Sequence, residues 1–198
     1  MLYLNEKALA DKAAFAAAGI KLPAYDRAAM IAKTVAEPTW LHFGAGNLFR
    51  AFPVKVCDHL LSAGILDRGV IAAEGFDYEI IDKIYAPHDN LSLSVTLLAD
   101  GNVEKEVIGS VAESVKADED GLARLGEIFC APSLQMVSFT ITEKGYALTN
   151  IHGQFFPFVE ADFVNDPANC SHAMSRMAAL LLERFNACKA PVAMVSMD

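Results

Sequence analysis

The residues with the clearest chemical potential lie in segment 39–52, which reads Thr-Trp-Leu-His-Phe-Gly-Ala-Gly-Asn-Leu-Phe-Arg-Ala-Phe. Its first residues are apolar enough for a buried strand, and a glycine turn and a helix follow directly. Gly44 and Gly46 carry no side chain, so the backbone can turn tightly there and approach a ligand closely. The helix would direct its free N–H groups and the positive end of its dipole at that ligand. The segment therefore predicts a site for the pyrophosphate of a dinucleotide.

This pattern is shorter than the complete fingerprint G-x-G-x-x-G, because Phe49 stands where the third glycine is expected. A purely structural turn is therefore the alternative to a ligand site. A helix predicted over about 47–63 and a strand predicted over Gly69–Glu74 complete a strand–helix–strand unit, which favours the ligand site.

An acidic residue ends this second predicted strand. Dinucleotide sites place a carboxylate about 20 residues beyond the glycines, where it accepts hydrogen bonds from the adenosine ribose. Glu74 lies farther along the chain, as a longer crossover helix would require, and Asp77 is the second candidate. A solvated carboxylate at a strand end is the alternative. Because a carboxylate there would repel a 2′-phosphate, the sequence favours NAD over NADP.

Composition excludes several classes of protein. With 198 residues, of which 54% are apolar and 21% charged, the chain can bury a real core, so a disordered chain is excluded. A net charge of −9 argues against nucleic acid or an anionic membrane as partner. No apolar run reaches membrane-spanning or signal-peptide length, so we expect a cytoplasmic protein.

The cysteines and histidines are not spaced as metal ligands are. No C-x-x-C pair and no H-x-x-x-H or H-E-x-x-H spacing occurs. We therefore expect no metal site and a reducing compartment. The residues concerned are Cys57, Cys130, Cys170, Cys188, His42, His59, His88, His152 and His172.

The remaining segments alternate as in an open α/β sheet. Further helices are expected over 5–19, from 26, and over 77–85, 118–130 and 168–187, and further strands over 91–98, 103–111, 135–142 and from 190, with a loop over 150–167. The turn residues 99–102 predict an antiparallel hairpin inserted on a mostly parallel sheet. The expected fold is α/β: a Rossmann-like sheet flanked by helices, with an N-terminal helical extension over 1–38 and a dinucleotide-binding domain over 39–198.

Three segments together resemble one enzyme family. They are His42–Arg50, reading HFGAGNLFR, Phe139–Tyr146, reading FTITEKGY, and Val195–Asp198, reading VSMD. In order and spacing they resemble the amino-terminal domain of the long-chain polyol dehydrogenases, which include mannitol dehydrogenase and fructuronate reductase. The resemblance implies the NAD-binding part of a metal-independent oxidoreductase acting between NAD and a sugar alcohol, ketose or hexuronate, with the hydride chemistry supplied by the cofactor.

The resemblance also implies which residues bind the cofactor. The N–H groups of Gly46, Asn47 and Leu48 are the expected pyrophosphate donors. Arg50 would approach a phosphate or the substrate, or instead form a surface salt bridge. The whole expected set is Phe43, Gly44, Ala45, Gly46, Asn47, Leu48, Phe49, Arg50, Glu74, Asp77, Thr142 and Glu143.

The same resemblance limits what this chain would do alone. The family's catalytic lysine belongs to a helical carboxyl-terminal domain, which we expect to be absent here. No catalytic residue is therefore assigned, except that Glu143 would relay protons to solvent, with a structural carboxylate capping the next turn as the alternative. Lys144 is expected to be an exposed, charged lysine. The partner expected for the full-length enzyme is a polyol or sugar-acid substrate, and the alternative function is a non-catalytic NAD-binding module.

Overall fold

The computed structural model describes residues 2–197, apart from the side chains of Glu143, Lys144 and Ala168. The strands are β1 (Ile20–Lys21), β2 (Trp40–Phe43), β3 (Val70–Glu74), β4 (Ser92–Leu97), β5 (Val103–Ile108), β6 (Val111–Lys116), β7 (Met136–Phe139) and β8 (Ala193–Ser196). The α-helices are α1 (Glu6–Leu9), α2 (Lys12–Ala17), α3 (Arg27–Ala36), α4 (Asn47–Ala51), α5 (Pro53–Ser62), α6 (Tyr78–Ile80), α7 (Glu119–Cys130), α8 (Glu143–Tyr146), α9 (Pro157–Asp162) and α10 (Ala173–Ala187). A π-helical turn, Ile81–Tyr85, follows α6, and two 3₁₀ turns cover Ala86–His88 and Pro167–Asn169.

The larger sheet has five strands in the order β6-β3-β2-β7-β8, and every neighbouring pair is parallel. From the central β2 the chain builds outwards through β3 to β6, and it then returns to the other side of β2 for β7 and β8. The direction of building therefore changes between β2 and β7. In open α/β sheets, ligands bind outside the carboxyl ends of the strands at such a switch point. The predicted Rossmann-like fold is confirmed.

Both faces of the central strands β2 and β3 are covered, which explains why these strands are apolar with little alternation. Residues such as Leu41 and Ile71 pack towards α7 and α10, whereas Val70 and Ala72 pack with residues of α4 and α5. All five residues of β3 are buried. The carboxyl ends of the central strands are thus held in a rigid, close-packed layer.

The predicted hairpin forms a second sheet, in the order β1-β5-β4. The strands β4 and β5 are antiparallel, as predicted, but the N-terminal extension also contributes β1, parallel to β5. The extension is therefore not purely helical, and Phe15 packs in one cluster with Leu91 and Val107 of the hairpin region. The domain boundary at residue 38 stays a prediction.

The strand expected over 103–111 is in fact divided between the two sheets. β5 belongs to the hairpin sheet and β6 to the parallel sheet, with Gly109 and Ser110 between them. Side chains hold both backbone groups of Gly109, because its N–H donates to Asp58 Oδ1 at 2.8 Å and its carbonyl accepts from Arg27 Nε at 3.0 Å. With these groups occupied, the strand ladder cannot continue through this point.

Several helix boundaries also differ from the prediction. The helix expected over 47–63 breaks at Phe52, because Pro53 has no N–H to donate and its ring excludes the carbonyl four residues earlier. The first predicted helix is the pair α1 and α2, the expected loop 150–167 contains α9, and the long helix begins at Ala173 rather than at 168. The strand expected over 135–142 ends at Phe139.

No helix among residues 2–197 is both long and apolar enough to cross a membrane. No group of three or more histidine, cysteine, aspartate or glutamate side chains in that range, the undescribed Glu143 excepted, is placed to hold a metal ion. The prediction of a metal-independent protein stays a prediction.

Candidate active site

The glycine turn lies directly at the switch point, between the carboxyl ends of β2 and β7. Gly44 has φ +109°, a conformation that L side chains rarely adopt. A Cβ on Gly44 would lie 2.3 Å from the carbonyl oxygen of Thr140, so only glycine fits. Its N–H donates to the carbonyl of Ala73 at 2.9 Å, and its carbonyl accepts from Thr140 Oγ1 at 3.2 Å. Gly44 is therefore fixed by both neighbours of β2.

The peptide groups of Ala45 are also held, in this case by side chains. The N–H of Ala45 donates to Glu74 Oε2 at 2.9 Å, and its carbonyl accepts from the Tyr85 hydroxyl at 3.0 Å. Burial raises the pKa of the Tyr85 phenol, so this hydroxyl remains a donor at neutral pH. Ala45 itself is fully buried. The first half of the turn is thus rigid before any ligand binds.

Gly46, in contrast, faces open space. It is the N-cap of α4 with φ −73°, and no side chain caps the helix. A Cβ built on Gly46 would meet no atom within 4 Å. The amides of the first helical turn, which include the predicted donors Asn47 and Leu48, therefore receive no side-chain acceptor from the cap position. An uncapped helix start beside an open backbone is suited to an anionic ligand.

Glu74 lies where the sequence predicted it, at the end of β3 beside the turn, but it is only 7% exposed. Besides the contact to Ala45, its Oε1 accepts the N–H groups of Gly75 and Phe76 at 2.9 and 3.0 Å. Both carboxylate oxygens therefore already organise main chain. A carboxylate offers about four acceptor positions, so Oε2 retains capacity for one more donor. Asp77 is exposed three residues later, and the ribose role of either residue stays a prediction.

An apolar pocket adjoins Glu74 on the face of the sheet covered by α7 and α10. Its floor is formed by residues that follow β2, β3 and β6, and its wall by α10. Arg176 closes one side and is fixed there, because its Nε donates to the carbonyl of Cys170 and its Nη1 to that of Ala117, both at 2.7 Å. The lining includes Phe43, Phe76, Ala117, Leu122, Met174 and Arg176.

An open cleft runs from the glycine turn to the segment that follows β7. It is lined by Gly44, Gly46, Glu74, Phe76, Thr140, Ile141, Thr142 and Gly145. Thr142 is exposed and is the N-cap of α8, although its side chain makes no capping hydrogen bond. The side chains of Glu143 and Lys144 lie outside the described residues, so the roles predicted for them stay predictions.

No protein-family model matches the chain. The chain is 44% identical over 197 residues to the D-mannonate oxidoreductase of Thermotoga maritima, covering 98% of this chain and 36% of that protein. It is 30% identical over 185 residues to a mannitol 2-dehydrogenase of Cereibacter sphaeroides, covering 89% and 36%. Its fold matches the Pseudomonas fluorescens mannitol 2-dehydrogenase, solved as a ternary complex with NAD and D-mannitol, with a TM-score of 0.75 and 27% identity over 91% and 36% of the two chains.

The chain belongs to the long-chain polyol dehydrogenase family. This membership confirms the resemblance predicted from the three segments. The chain spans about a third of the length of the curated relatives it matches, and the matched part is the amino-terminal one.

In this member of the family the third-glycine position is filled by a buried aromatic ring. Phe49 is completely buried, and its ring stacks on that of His42 with centroids 3.9 Å apart and planes 2° apart. The Phe49 side chain therefore belongs to the core, and only its backbone remains available for the predicted cofactor contact. Phe43 also packs inwards, 6.0 Å from the ring of Phe139, although it reaches the apolar pocket.

Among the described side chains, Arg50 does not form the surface salt bridge that the sequence offered as one of its roles. Its guanidinium donates to Asn47 Oδ1 and lies 5.9 Å above the ring of Tyr85. Its Nε is buried without an acceptor, and no ion pair of Arg50 occurs among the described side chains. The predicted phosphate or substrate contact stays a prediction.

Sequence reasoning missed the apolar pocket. Ala117 directly follows β6, and its position at a strand end was the available signal, but the boundary of that strand was misplaced. Met174 and Arg176 lie on α10, far along the chain from the glycine turn, and only the folded chain brings them to the same pocket. Phe76 also lines this pocket, although the sequence drew attention only to the carboxylates on either side of it, Glu74 and Asp77.

Proposed function

We propose that this chain is the NAD-binding part of an oxidoreductase that transfers hydride between NAD(H) and a sugar alcohol, a ketose or a hexuronate. The glycine turn carries the proposal. Protein side chains hold the carbonyl of Gly44 and the N–H of Ala45, whereas Gly46 begins a helix that has no side-chain cap and borders the cleft. Its relatives support the substrate class, since they are named D-mannonate oxidoreductase and mannitol 2-dehydrogenase.

The residues present fit a dinucleotide from end to end. The apolar pocket beside Glu74 suits the adenine ring, and Glu74 or Asp77 suits the ribose hydroxyls. The open space over Gly46 admits the pyrophosphate to the amides of Asn47 and Leu48. The cleft beside Thr142 suits the nicotinamide end. The carboxylates at the ribose position favour NAD over NADP.

When bound, the nicotinamide supplies the hydride chemistry. The described residues of this chain bind and orient: the turn anchors the phosphates, the apolar pocket excludes water from the adenine, and the segment after β7 borders the reacting end. None of their described side chains offers an acid–base group in the cleft other than Glu74, which is occupied by main-chain amides. We therefore propose that this chain alone does not turn over substrate. We also propose that the full-length enzyme functions in the cytoplasm with a polyol or sugar-acid substrate.

The proposal is tested by titrating the chain with NADH and following the fluorescence of the cofactor. Gly46→Val is expected to weaken NADH binding at least tenfold, about 1.4 kcal/mol, because a branched side chain fills the space over the turn. Gly46→Ala is expected to be intermediate. In the free protein the added Cβ meets nothing within 4 Å, so the urea midpoint should change little. An unchanged dissociation constant in Gly46→Val would contradict the site.

A non-catalytic NAD-binding module is the second candidate, because the described side chains of the cleft offer no acid–base group except Glu74, which main-chain amides occupy. Both candidates bind NADH, but they differ in chemistry. A measurement of NAD reduction by D-mannitol and by D-mannonate separates them. Turnover above background by a protein containing this chain supports the oxidoreductase, whereas binding without turnover in a full-length protein supports the module.

A further inference from the structure

A chain of hydrogen bonds connects the start of β2 to the glycine turn through the neighbouring strand β7. Trp40 Nε1 donates to Ser138 Oγ at 2.7 Å, and Ser138 Oγ lies 2.7 Å from His42 Nδ1. On the other side of the ring, His42 Nε2 lies 2.8 Å from Thr140 Oγ1, which in turn donates to the carbonyl of Gly44 at 3.2 Å. His42 and Ser138 are both fully buried.

The two ends of this chain fix its direction. An indole N–H can only donate, and a backbone carbonyl can only accept. The Thr140 hydroxyl therefore donates to the carbonyl of Gly44, which leaves the Thr140 oxygen to accept a hydrogen bond from the N–H at His42 Nε2. At the other end, Ser138 accepts a hydrogen bond from Trp40, and its own hydroxyl donates one to the unprotonated His42 Nδ1. Each group then has a partner of the opposite kind.

The other protonation states of His42 leave a buried group unsatisfied. If the proton were on Nδ1 alone, the Thr140 hydroxyl could satisfy either His42 Nε2 or the carbonyl of Gly44, but not both. If both ring nitrogens carried protons, Ser138 Oγ would accept hydrogen bonds from both Trp40 and His42. Its own hydroxyl proton would then have no acceptor among the described residues. An unsatisfied buried polar group costs about 1–3 kcal/mol.

Phe49 completes the arrangement, because its ring stacks on His42 with nearly parallel planes. The stack restricts rotation of the imidazole out of the line between the two hydroxyls. The departure from the glycine fingerprint at Phe49 thus acquires a physical role: the residue at the third position holds the ring that connects β7 to the turn.

We propose that His42 is a positioning residue for the glycine turn: a neutral imidazole protonated on Nε2 that fixes the Thr140 hydroxyl on the carbonyl of Gly44. The turn is then fastened to β7 across the crevice in which the cofactor would lie. The expected effect on cofactor affinity rests on the proposed function, whereas the protonation state of the ring does not.

The first test is a nitrogen NMR spectrum of the cofactor-free chain labelled with ¹⁵N-histidine. We expect the His42 ring to show a protonated Nε2 and an unprotonated Nδ1 at neutral pH. Ser138→Ala removes the proton donor to Nδ1, so it is expected to change the tautomer signal of His42 and the indole N–H signal of Trp40, which is unambiguous because the chain has one tryptophan. A protonated Nδ1 in the unmodified chain would overturn the proposal.

The second test compares NADH affinity among hydroxyl variants. Thr140→Val is expected to weaken NADH binding about tenfold, and Thr140→Ser to restore it. Because Thr140 lines the cleft, Ser138→Ala provides the variant that cannot act by direct contact, since Ser138 is buried; we expect about threefold weakening. Ser110→Ala is the matched control, because it removes another buried hydroxyl, 2.6 Å from the carbonyl of Val54, and should leave affinity unchanged.

The outcomes are separable. Equal loss in Ser138→Ala and Ser110→Ala would assign the effect to general destabilisation and overturn the positioning role, and so would unchanged affinity in Thr140→Val. If the unmodified chain fails to bind NADH at all, the proposed function fails, while the histidine spectrum still decides the state of His42.

Discussion

The two sheets of this molecule use their polar side chains in different ways. At the carboxyl edge of the parallel sheet, polar groups such as the buried Glu74 and the half-buried Thr140 hold the peptide groups of a turn. In the hairpin sheet, polar groups hold one element against another: Lys55 of α5 contacts the hydroxyls of Ser94 and Thr96 and forms an ion pair with Glu106. One edge is built to fix a backbone shape, and the other to attach a surface element.

The difference extends to the apolar residues. In the central strands β2 and β3 of the parallel sheet they are buried or half-buried on both faces, but β4 turns its hydroxyls towards α5 and leaves Leu93, Val95 and Leu97 exposed. The alternation in β4 is that of a strand with two unlike faces. The sequence did not reveal that the polar face of β4 is the covered one. This depends on Lys55 of α5, which contacts the hydroxyls of that face.

The largest expected effect compares two glycines with positive φ, one near each sheet. Gly44→Ala should destabilise the fold by about 3 kcal/mol or more, because the added Cβ is both strained and 2.3 Å from the Thr140 carbonyl oxygen. Gly101→Ala, in the hairpin turn at φ +85°, meets no atom within 4 Å and should cost about 1 kcal/mol for the conformation alone. Urea unfolding measures both. Equal losses would show that the close approach at Gly44 contributes nothing.

The next comparison concerns two glutamates. Glu74→Gln should cost about 2 kcal/mol, because an amide replaces one oxygen and points N–H at main-chain N–H. Glu106→Gln should cost less than about 1 kcal/mol, since it weakens only a partly solvated ion pair to Lys55 and a hydrogen bond to the exposed His59. Thermal or urea unfolding of the two variants gives the ratio directly.

Cofactor binding sharpens the same comparison. Glu74→Ser should lower the preference for NADH over NADPH as well as the affinity for both. The variant loses both the carboxylate that repels a 2′-phosphate and the hydrogen bond that holds the N–H of Ala45. Glu106→Gln serves as the control and should alter neither. If the preference is unchanged in Glu74→Ser while both affinities fall, Glu74 only holds the main chain of the turn, and Asp77 becomes the candidate for binding the ribose.

The sequence predicted the parallel sheet well because its signals are local. A buried strand, Gly44 and Gly46, and an acid at the end of β3 are all readable without knowing their neighbours. The twofold role of Glu74 was not readable, because its hydrogen-bond partners depend on how close β3 brings it to the turn. The same is true of β1, which has two residues and exists only because β5 lies beside it.

The junction between the sheets was misread for a related reason. Val103 to Val111 is a continuous strand-like run, and its division depends on Asp58 and Arg27, which reach Gly109 from 51 and 82 residues away. No local pattern announces such long-range partners. The fold class and the glycine turn are thus sequence properties, whereas the pocket walls and the sheet junction are properties of the packing.

Asp58 at this junction gives a prediction for pH. Burial raises the pKa of the Asp58 carboxyl, although hydrogen bonds from the Tyr25 hydroxyl and the Gly109 N–H oppose this. The folded state thus holds this proton more tightly than the unfolded state does, so its contribution to stability is lost as pH rises above 3.8 through the raised pKa. Asp58→Asn keeps an acceptor for both donors and removes the buried charge. Its stability relative to the unmodified chain should therefore increase as the pH is raised from 4 towards 7 in urea titrations.

Asp67, whose pKa is shifted in the opposite direction, provides the control for that experiment. Contact with Lys33 lowers the pKa of the exposed Asp67 carboxyl. Its contribution is present above 3.8 and is lost as pH falls through the lowered value. Asp67→Asn should therefore lose stability relative to the unmodified chain as the pH rises, the reverse of Asp58→Asn. Parallel slopes for the two variants would contradict the assignment of a buried charge to Asp58.

The smallest expected effect tests the outer face of the hairpin sheet. Leu97 is 78% exposed, so Leu97→Thr keeps the preference for a strand and removes little buried apolar surface. The free energy of unfolding should change by less than about 0.5 kcal/mol. A loss well above 1 kcal/mol, measured at low protein concentration, would mean that this face is covered in solution. Both sheets would then have covered apolar faces, and they would differ only in what covers them.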